Sequence, residues 1–263
     1  MQSGSGASGH HTAIADSSPY NICPGLVCIP HGDDRPAREG GITTQGYLVT
    51  SRDGTSVLGI DTVPASVVDA VEQQCSAGGK TLKGVFITHR HVMQSAKRPE
   101  GLHAQTRFRK YVRDNDVAVL VHDADAARLA NEVEAQVPED LRLTFQEPSG
   151  HPLLKDFDMQ VVAELHGHTE GGTLLLWKAN GGIIFTGDCA MGAKTAEAVK
   201  LTRPPNFTSV SDDQLKQEWA DVTLPDEVSG FCSLHGRPSY GLSQQEVKEL
   251  RLHMGRHEPI TAI

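Results

Sequence analysis

Gly84-Val85-Phe86-Ile87-Thr88-His89-Arg90-His91 joins a short apolar run to two histidines one residue apart. The run is β-branched and aromatic, which predicts a buried strand. The His-x-His follows where the strand gives way to a loop. In extended backbone, residues two apart point the same way. Both imidazoles can therefore face one point, as a metal ion requires, although two surface histidines at a strand end have the same local sequence.

The neighbouring stretches supply more strand ends of this kind. Upstream, Leu26 to Ile29, Gly46 to Thr50 and Ser56 to Ile60 are candidate strands, the last two joined by a turn at Asp53-Gly54. Thr62 is placed to cap a helix with Val67, Val68 and Val71 on one face, and Gly78-Gly79 ends it. Downstream of His91 the residues from Gln94 to Glu100 are polar and read as a loop, with a helix over 104–113. Val117 to His122 is a strand, Asp123 caps a helix to about Gln136, and Leu141 to Phe145 is a strand. Met159 to Leu165 leads directly into His166-Gly167-His168-Thr169. Thr173 to Trp177 and Gly182 to Thr186 form a second hairpin, whose far end is Gly187-Asp188-Cys189. A helix capped by Ser211 follows, then a short strand, Phe231 to Leu234, that ends at His235-Gly236. Ser243 with Glu246 caps the last helix.

The chain of 263 residues is read as a flexible tail over 1–19 and a single domain over 20–263. A formal charge of -9 argues against a nucleic-acid partner. The basic cluster Arg107, Arg109, Lys110 and Arg113 reads as a solvated helix face, or otherwise as a contact to an anionic substrate. Five scattered cysteines favour a reducing compartment. With neither a secretory h-region nor a long apolar run, a soluble cytoplasmic protein without a membrane partner is expected. Cys189 and Cys232 read as buried packing thiols. A small-molecule substrate is the expected partner.

His89, His91, His168, Asp188 and His235 thus stand at four strand ends, most beside glycine. Imidazoles with one carboxylate suit zinc, iron or manganese. The series Thr88-His89-Arg90-His91, Gly167-His168-Thr169-Glu170-Gly171-Gly172, Phe185-Thr186-Gly187-Asp188 and Leu234-His235-Gly236 resembles the metallo-β-lactamase superfamily. The resemblance implies a four-layer αββα sandwich of the α+β class, with a metal site at one edge of two facing sheets. It also implies that His89, His91 and His168 hold a first metal, Asp188 bridges, and His235 serves a second. The family pattern continues the His-x-His with x-Asp-His; here those positions are Met93 and Gln94. A thioether and a neutral amide are poor substitutes, so the second site is degenerate unless His31 or His103 is recruited.

One zinc ion is therefore expected, with iron or manganese as alternatives. Such an ion would bring the pKa of bound water to about 7, with Asp188 as the catalytic group that orients the water or accepts its proton. The expected reaction is hydrolysis of an ester, thioester, lactone or amide carbonyl. Gly-x-Ser-x-Gly is missing, in line with activated water rather than a covalent route. The alternatives are a mononuclear non-haem iron oxygenase similar to persulfide dioxygenases, with His89, His168 and Asp188 as its triad, and a binding protein with a degenerate site on the same fold. Arg90 is either an anion contact or a solvated loop residue, and His166 either supports His168 or lies at the surface.

Overall fold

A computed structural model describes residues 18–31, 44–63, 65–94, 99–193 and 200–256, with the backbone alone at 65, 66, 99–104 and 207. All but two residues of the 1–19 tail lie outside the described residues. In chain order come β1 (Tyr20–Cys23), β2 (Leu26–Pro30), β3 (Gln45–Thr50), β4 (Ser56–Ile60), α1 (Ala65–Ala77), β5 (Thr81–Phe86), α2 (His91–Gln94), α3 (Pro99–Asp114), β6 (Ala118–Leu120), α4 (Asp123–Glu132), β7 (Phe145–Gln146), α5 (Pro152–Asp156) and β8 (Met159–Glu164). Then follow β9 (Thr173–Trp177), β10 (Ile183–Gly187), α6 (Asp212–Asp221), β11 (Gly230–Ser233), β12 (Ser239–Tyr240) and α7 (Gln244–Met254).

The strands form a seven-stranded sheet in the order β1-β2-β3-β4-β5-β6-β7 and a five-stranded sheet in the order β12-β11-β10-β9-β8. The first begins as an antiparallel meander and turns parallel from β4 onwards, where α1, α3 and α4 provide the crossovers. Three apolar clusters account for the layering. Leu58, Phe86, Leu175 and Phe185 meet between the sheets. Val67, Val71, Val85 and Phe108 fill the helix side of the larger sheet, and Leu176, Ile184, Leu215 and Trp219 fill that of the smaller. The result is the expected αββα sandwich. Every residue of β9 and β10 is buried, since both faces of these strands are covered.

Several local readings are corrected. His122, not Asp123, caps α4: its Nδ1 accepts from the Ala124 backbone N–H at 3.2 Å. The strand expected over Leu141 to Phe145 is only Phe145–Gln146, because Glu139–Leu141 is a 3₁₀ turn. The residues after His91 are not simply loop but open with the helical turn α2. The basic cluster is not one solvated face. Arg109 is 1% exposed and pairs with Glu134 at 2.7 Å, while Arg107, Lys110 and Arg113 are exposed. All five cysteines are free, with Cys189 and Cys232 buried as expected. Among the described residues no helix is long and apolar enough to cross a membrane.

Candidate metal centre

The edge where β5, β8, β10 and β11 end gathers the histidines. Beyond β5, Thr88 is anchored by the Asp61 carboxylate, which accepts from its backbone N–H at 2.9 Å and its hydroxyl at 2.8 Å. Asp61 takes φ of 54° at the end of β4, a left-handed conformation that aspartate tolerates better than most residues. The Thr88 hydroxyl lies 3.0 Å from His89 Nδ1, which leaves Nε2 of that ring turned to the site. His91 opens α2. His168 sits in the loop between β8 and β9, with Nδ1 3.4 Å from Ser209 Oγ. The segment before α6 holds this loop by Val210 N–H to His168 O and Ser211 N–H to Gly167 O.

His89, His91 and His168 each bring a ring nitrogen within 4.8 Å of the others. His91 Nδ1 and His168 Nε2 are 3.2 Å apart. Two nitrogens on one tetrahedral zinc, each about 2.05 Å from it, would be roughly 3.3 Å apart. The Asp188 Oδ2 atom stands 3.5 Å from His89 Nε2, 3.9 Å from His168 Nε2 and 3.5 Å from His235 Nε2. Asp188 follows Gly187, whose φ of 51° turns the chain at the end of β10. A Cβ at Gly187 would meet Thr88 Cβ at 2.7 Å and His89 Nδ1 at 3.0 Å, so glycine lets the two sheet ends close on each other. His235 is held by an isolated antiparallel bridge to Thr44, whose hydroxyl is 3.0 Å from His235 Nδ1.

A second carboxylate braces the loops from behind. Asp125, 0% exposed, accepts from Arg90 N–H and Arg90 Nη1 at 2.8 Å each, from Thr169 Oγ1 at 2.8 Å and from Gly171 N–H at 3.1 Å. It thus ties the His89–His91 loop to the His168 loop. Arg90 also pairs with Glu170. Arg90 is therefore neither solvated nor a free anion contact. His166 is half-buried and bonds the Glu170 backbone carbonyl through Nδ1 at 2.6 Å, so it serves the loop rather than the cluster.

The electrostatics suit a cation. Burial, then the neighbouring His89 charge, pushes His91 down to about 4 and His168 well below the imidazole range. Burial also opposes protonation of His89, but Asp188 outweighs it and raises that ring. Burial would raise the Asp188 carboxyl, yet His235 and His89 hold it well below the carboxylate range. His89 Nε2 and Asp188 Oδ1 are buried without a hydrogen-bond partner. Orphaned buried polar atoms are uncommon, and an ion is one of the things that explains them. Three imidazoles and a carboxylate are also a donor set that zinc, iron or manganese accepts.

Met93 and Gln94 are not in this gathering. Met93 is 0% exposed in the core under α1 and α3, and Gln94 donates to Glu132 Oε2 at 2.9 Å. His31 is 9% exposed. The side chain of His103 lies outside the described residues. Asp61 and Asp125 escaped the sequence reading. Asp61 carried a usable signal, a polar residue directly at a strand end; Asp125 looked like an ordinary acidic residue in the first turn of a helix.

No protein-family model and no curated protein sequence matches the chain. Solved structures do. The DIM-1 metallo-β-lactamase is 13% identical with a TM-score of 0.60, over 89% of this chain and 95% of that one. A metallo-β-lactamase from Pontibacter korlensis is 13% identical with a TM-score of 0.56, over 89% and 98%. The metallo-β-lactamase FIM-1 from Pseudomonas aeruginosa, in its mono-zinc form, is 16% identical with a TM-score of 0.55, over 92% and 96%. At such identities the likeness speaks for architecture alone, and by architecture this chain has the metallo-β-lactamase fold.

Proposed function

We propose that this protein is a metal-dependent hydrolase acting on an ester, thioester, lactone or amide carbonyl of a small molecule. The observation that carries the reading is the convergence of His89, His91 and His168, with Asp188 Oδ2 3.5 Å from a His89 Nε2 that has no hydrogen-bond partner. The three imidazoles would hold one ion, zinc by preference. When bound, it would supply a water acidic near neutral pH and polarisation of the substrate carbonyl. Asp188 is the group to receive the proton of that water. Its carboxylate is kept ionised by its histidine neighbours, and Oδ1 has no other partner. His235 orients Asp188 from the open side, and Thr88 with Asp61 fixes the ring of His89. Arg90 takes no part in substrate binding, since its guanidinium is occupied by Asp125 and Glu170.

The test combines elemental analysis of the purified protein with a panel of ester, thioester, lactone and amide substrates, for the parent and for His89→Ala. A tightly held ion and a hydrolysed substrate, both lost in the variant, are expected. Full activity in His89→Ala would refute the reading.

A second reading is favoured by the distances of 3.5 and 3.9 Å from Asp188 Oδ2 to His89 and His168. Two imidazoles and one carboxylate are the ligands of mononuclear iron oxygenases. Iron in the purified protein together with substrate-dependent oxygen uptake would select it. A chain that retains no ion at all would instead be a binding protein on this fold.

A further inference from the structure

Helix α6 holds two of the loops that carry candidate site residues. The Glu218 carboxylate accepts the backbone N–H of His166 at 3.1 Å through Oε1 and that of Gly167 at 3.0 Å through Oε2. These are the two residues directly before His168. Gly167 lies flush on the helix, where a Cβ would run into the Leu215 backbone. The next residue of α6 serves the other loop. Trp219 is 0% exposed and donates its indole N–H to the Cys189 backbone carbonyl at 2.8 Å. Cys189 directly follows Asp188. Consecutive helical residues point about 100° apart, so one side chain reaches the loop between β8 and β9 and the other the buried turn after β10. The helix itself is tied at both ends. Arg203, 2% exposed, donates through Nε to Asp212 Oδ1 at 2.9 Å in the first turn. At the last turn Arg251 of α7 donates through Nη1 to Ala220 O at 2.8 Å and Val222 O at 3.0 Å.

We propose that Glu218 and Trp219 are positioning residues that together set the spacing of His168 from Asp188, whose Nε2 and Oδ2 stand 3.9 Å apart. The inference rests on the function proposed above, in which His168 is a metal ligand and Asp188 receives a proton. Both residues act through backbone. A carboxylate that accepts two adjacent N–H groups fixes the peptide planes from which His168 projects, and the buried indole fixes the plane that follows Asp188. Because the two side chains are neighbours on one tethered helix, the two loops are held to a common frame. Without Glu218, two N–H groups lose their acceptor and the His168 loop keeps only the bonds of Val210 N–H to His168 O and Ser211 N–H to Gly167 O. Without the indole N–H, the Cys189 carbonyl is left unpaired and the Asp188 turn is free to shift. Outer supports of this kind decide how well a ligand set fits its ion.

The test is zinc affinity of the full chain by competition with a chelator, together with visible absorption of the cobalt-loaded protein, which reports the geometry around the ion. It compares the parent with Glu218→Ala, Glu218→Gln, Trp219→Phe and Leu250→Ala, each well below its melting temperature. Leu250 of α7 packs against the same helix-side cluster and makes none of these hydrogen bonds, so its variant is the stability control. Leu250→Ala should melt earlier and keep the zinc affinity and cobalt spectrum of the parent. Glu218→Ala should bind zinc about 10–100-fold more weakly, with Glu218→Gln, which keeps one acceptor, in between. Trp219→Phe keeps an aromatic ring and removes the N–H; its cobalt spectrum should change. If Glu218→Ala does not fold, Glu218→Gln decides. Parent-like zinc affinity in the Glu218 variants, a parent-like cobalt spectrum in Trp219→Phe, or an equal loss of zinc affinity in Leu250→Ala overturns the inference while the proposed function stands. A parent that binds neither zinc nor cobalt overturns that function, and this inference with it.

Discussion

Replacing Asp125 by alanine should weaken the fold and the metal centre together. The carboxylate is fully buried and accepts four hydrogen bonds, from two groups of Arg90, from the Thr169 hydroxyl and from the Gly171 N–H. Removing one partner of a buried ion pair costs about 3–5 kcal/mol, mainly because the other charge is left uncompensated. Here Arg90 keeps Glu170 and its side chain is 11% exposed, which places the cost near 3 kcal/mol, at about the lower bound. For a domain of this size that is a fall of roughly 6–12 °C in the melting temperature. The measurement is thermal unfolding of chelator-treated protein, so that metal binding does not enter. Asp125→Asn keeps the volume and one acceptor oxygen, and should lie between parent and alanine. Because Asp125 braces the loops of both His91 and His168, zinc affinity of the alanine variant should also drop by about 10–100-fold, the usual loss when an outer support of a metal ligand is removed. A metal-free variant that melts within about 1 °C of the parent, with unchanged zinc affinity, would show that the loops do not depend on this carboxylate.

Gly187→Ala must place a Cβ 2.7 Å from Thr88 Cβ on a residue with φ of 51°, so it should destabilise by about 1–3 kcal/mol or more and lower zinc occupancy; denaturant unfolding and elemental analysis check both. The buried Arg109–Glu134 pair should show coupling. Arg109→Met and Glu134→Gln each destabilise, and the double variant costs about 1–3 kcal/mol less than their sum in a double-mutant cycle; strict additivity would contradict the pairing. Burial pushes the Cys28 thiol up to about 12 and those of Cys189 and Cys232 well above their usual range, whereas Cys23 is half-buried. A thiol reagent on native protein should therefore label Cys23 first and reach Cys28, Cys189 and Cys232 only after unfolding; early labelling of Cys232 would speak against the packing between the sheets.

The sequence showed the parts of the site that sit at strand ends, since an apolar run stopped by histidine or Gly-Asp is a local pattern. It did not show what braces them. Asp125 reaches Arg90 across 35 residues and Thr169 across 44, and nothing near Asp125 in the chain marks it off from other acidic residues at a helix start. Arg109 was misread for a related reason. Its neighbours in sequence are basic, but on α3 it shares the buried face of Gln105, Phe108 and Val112. The Met93 position depends on α2. In a helical turn, residues two apart lie about 200° around the axis from each other. Once His91 starts that turn toward the site, Met93 is carried round into the core, where its thioether packs as an ordinary apolar group. Read as loop, the same residue looked like a damaged ligand.

The centre also differs from a site that metal alone would assemble. Its histidines come from both sheets, so an ion would cross-link the sandwich at this edge. The edge is already joined without one. Thr173 N–H donates to Thr88 O at 3.1 Å, Gln45 N–H to Leu234 O at 2.9 Å and Leu234 N–H to Gly187 O at 3.1 Å, the first two from one sheet to the other. Beneath them Gln45 and Tyr47 of the larger sheet donate to backbone carbonyls around Ser233 in the smaller, with Tyr47 Oη to Ser233 O at 2.7 Å. These contacts are buried and backbone-anchored, and they position the imidazoles before any ion arrives. The chain should then fold without metal, and a cooperative thermal transition in chelator-treated protein is the check. The ion adds only its mass-action share, about 2.7 kcal/mol at one hundred times its dissociation constant. The ordering entropy of the three imidazoles has already been met by the sheets, which is why an ion at this cluster should be held tightly.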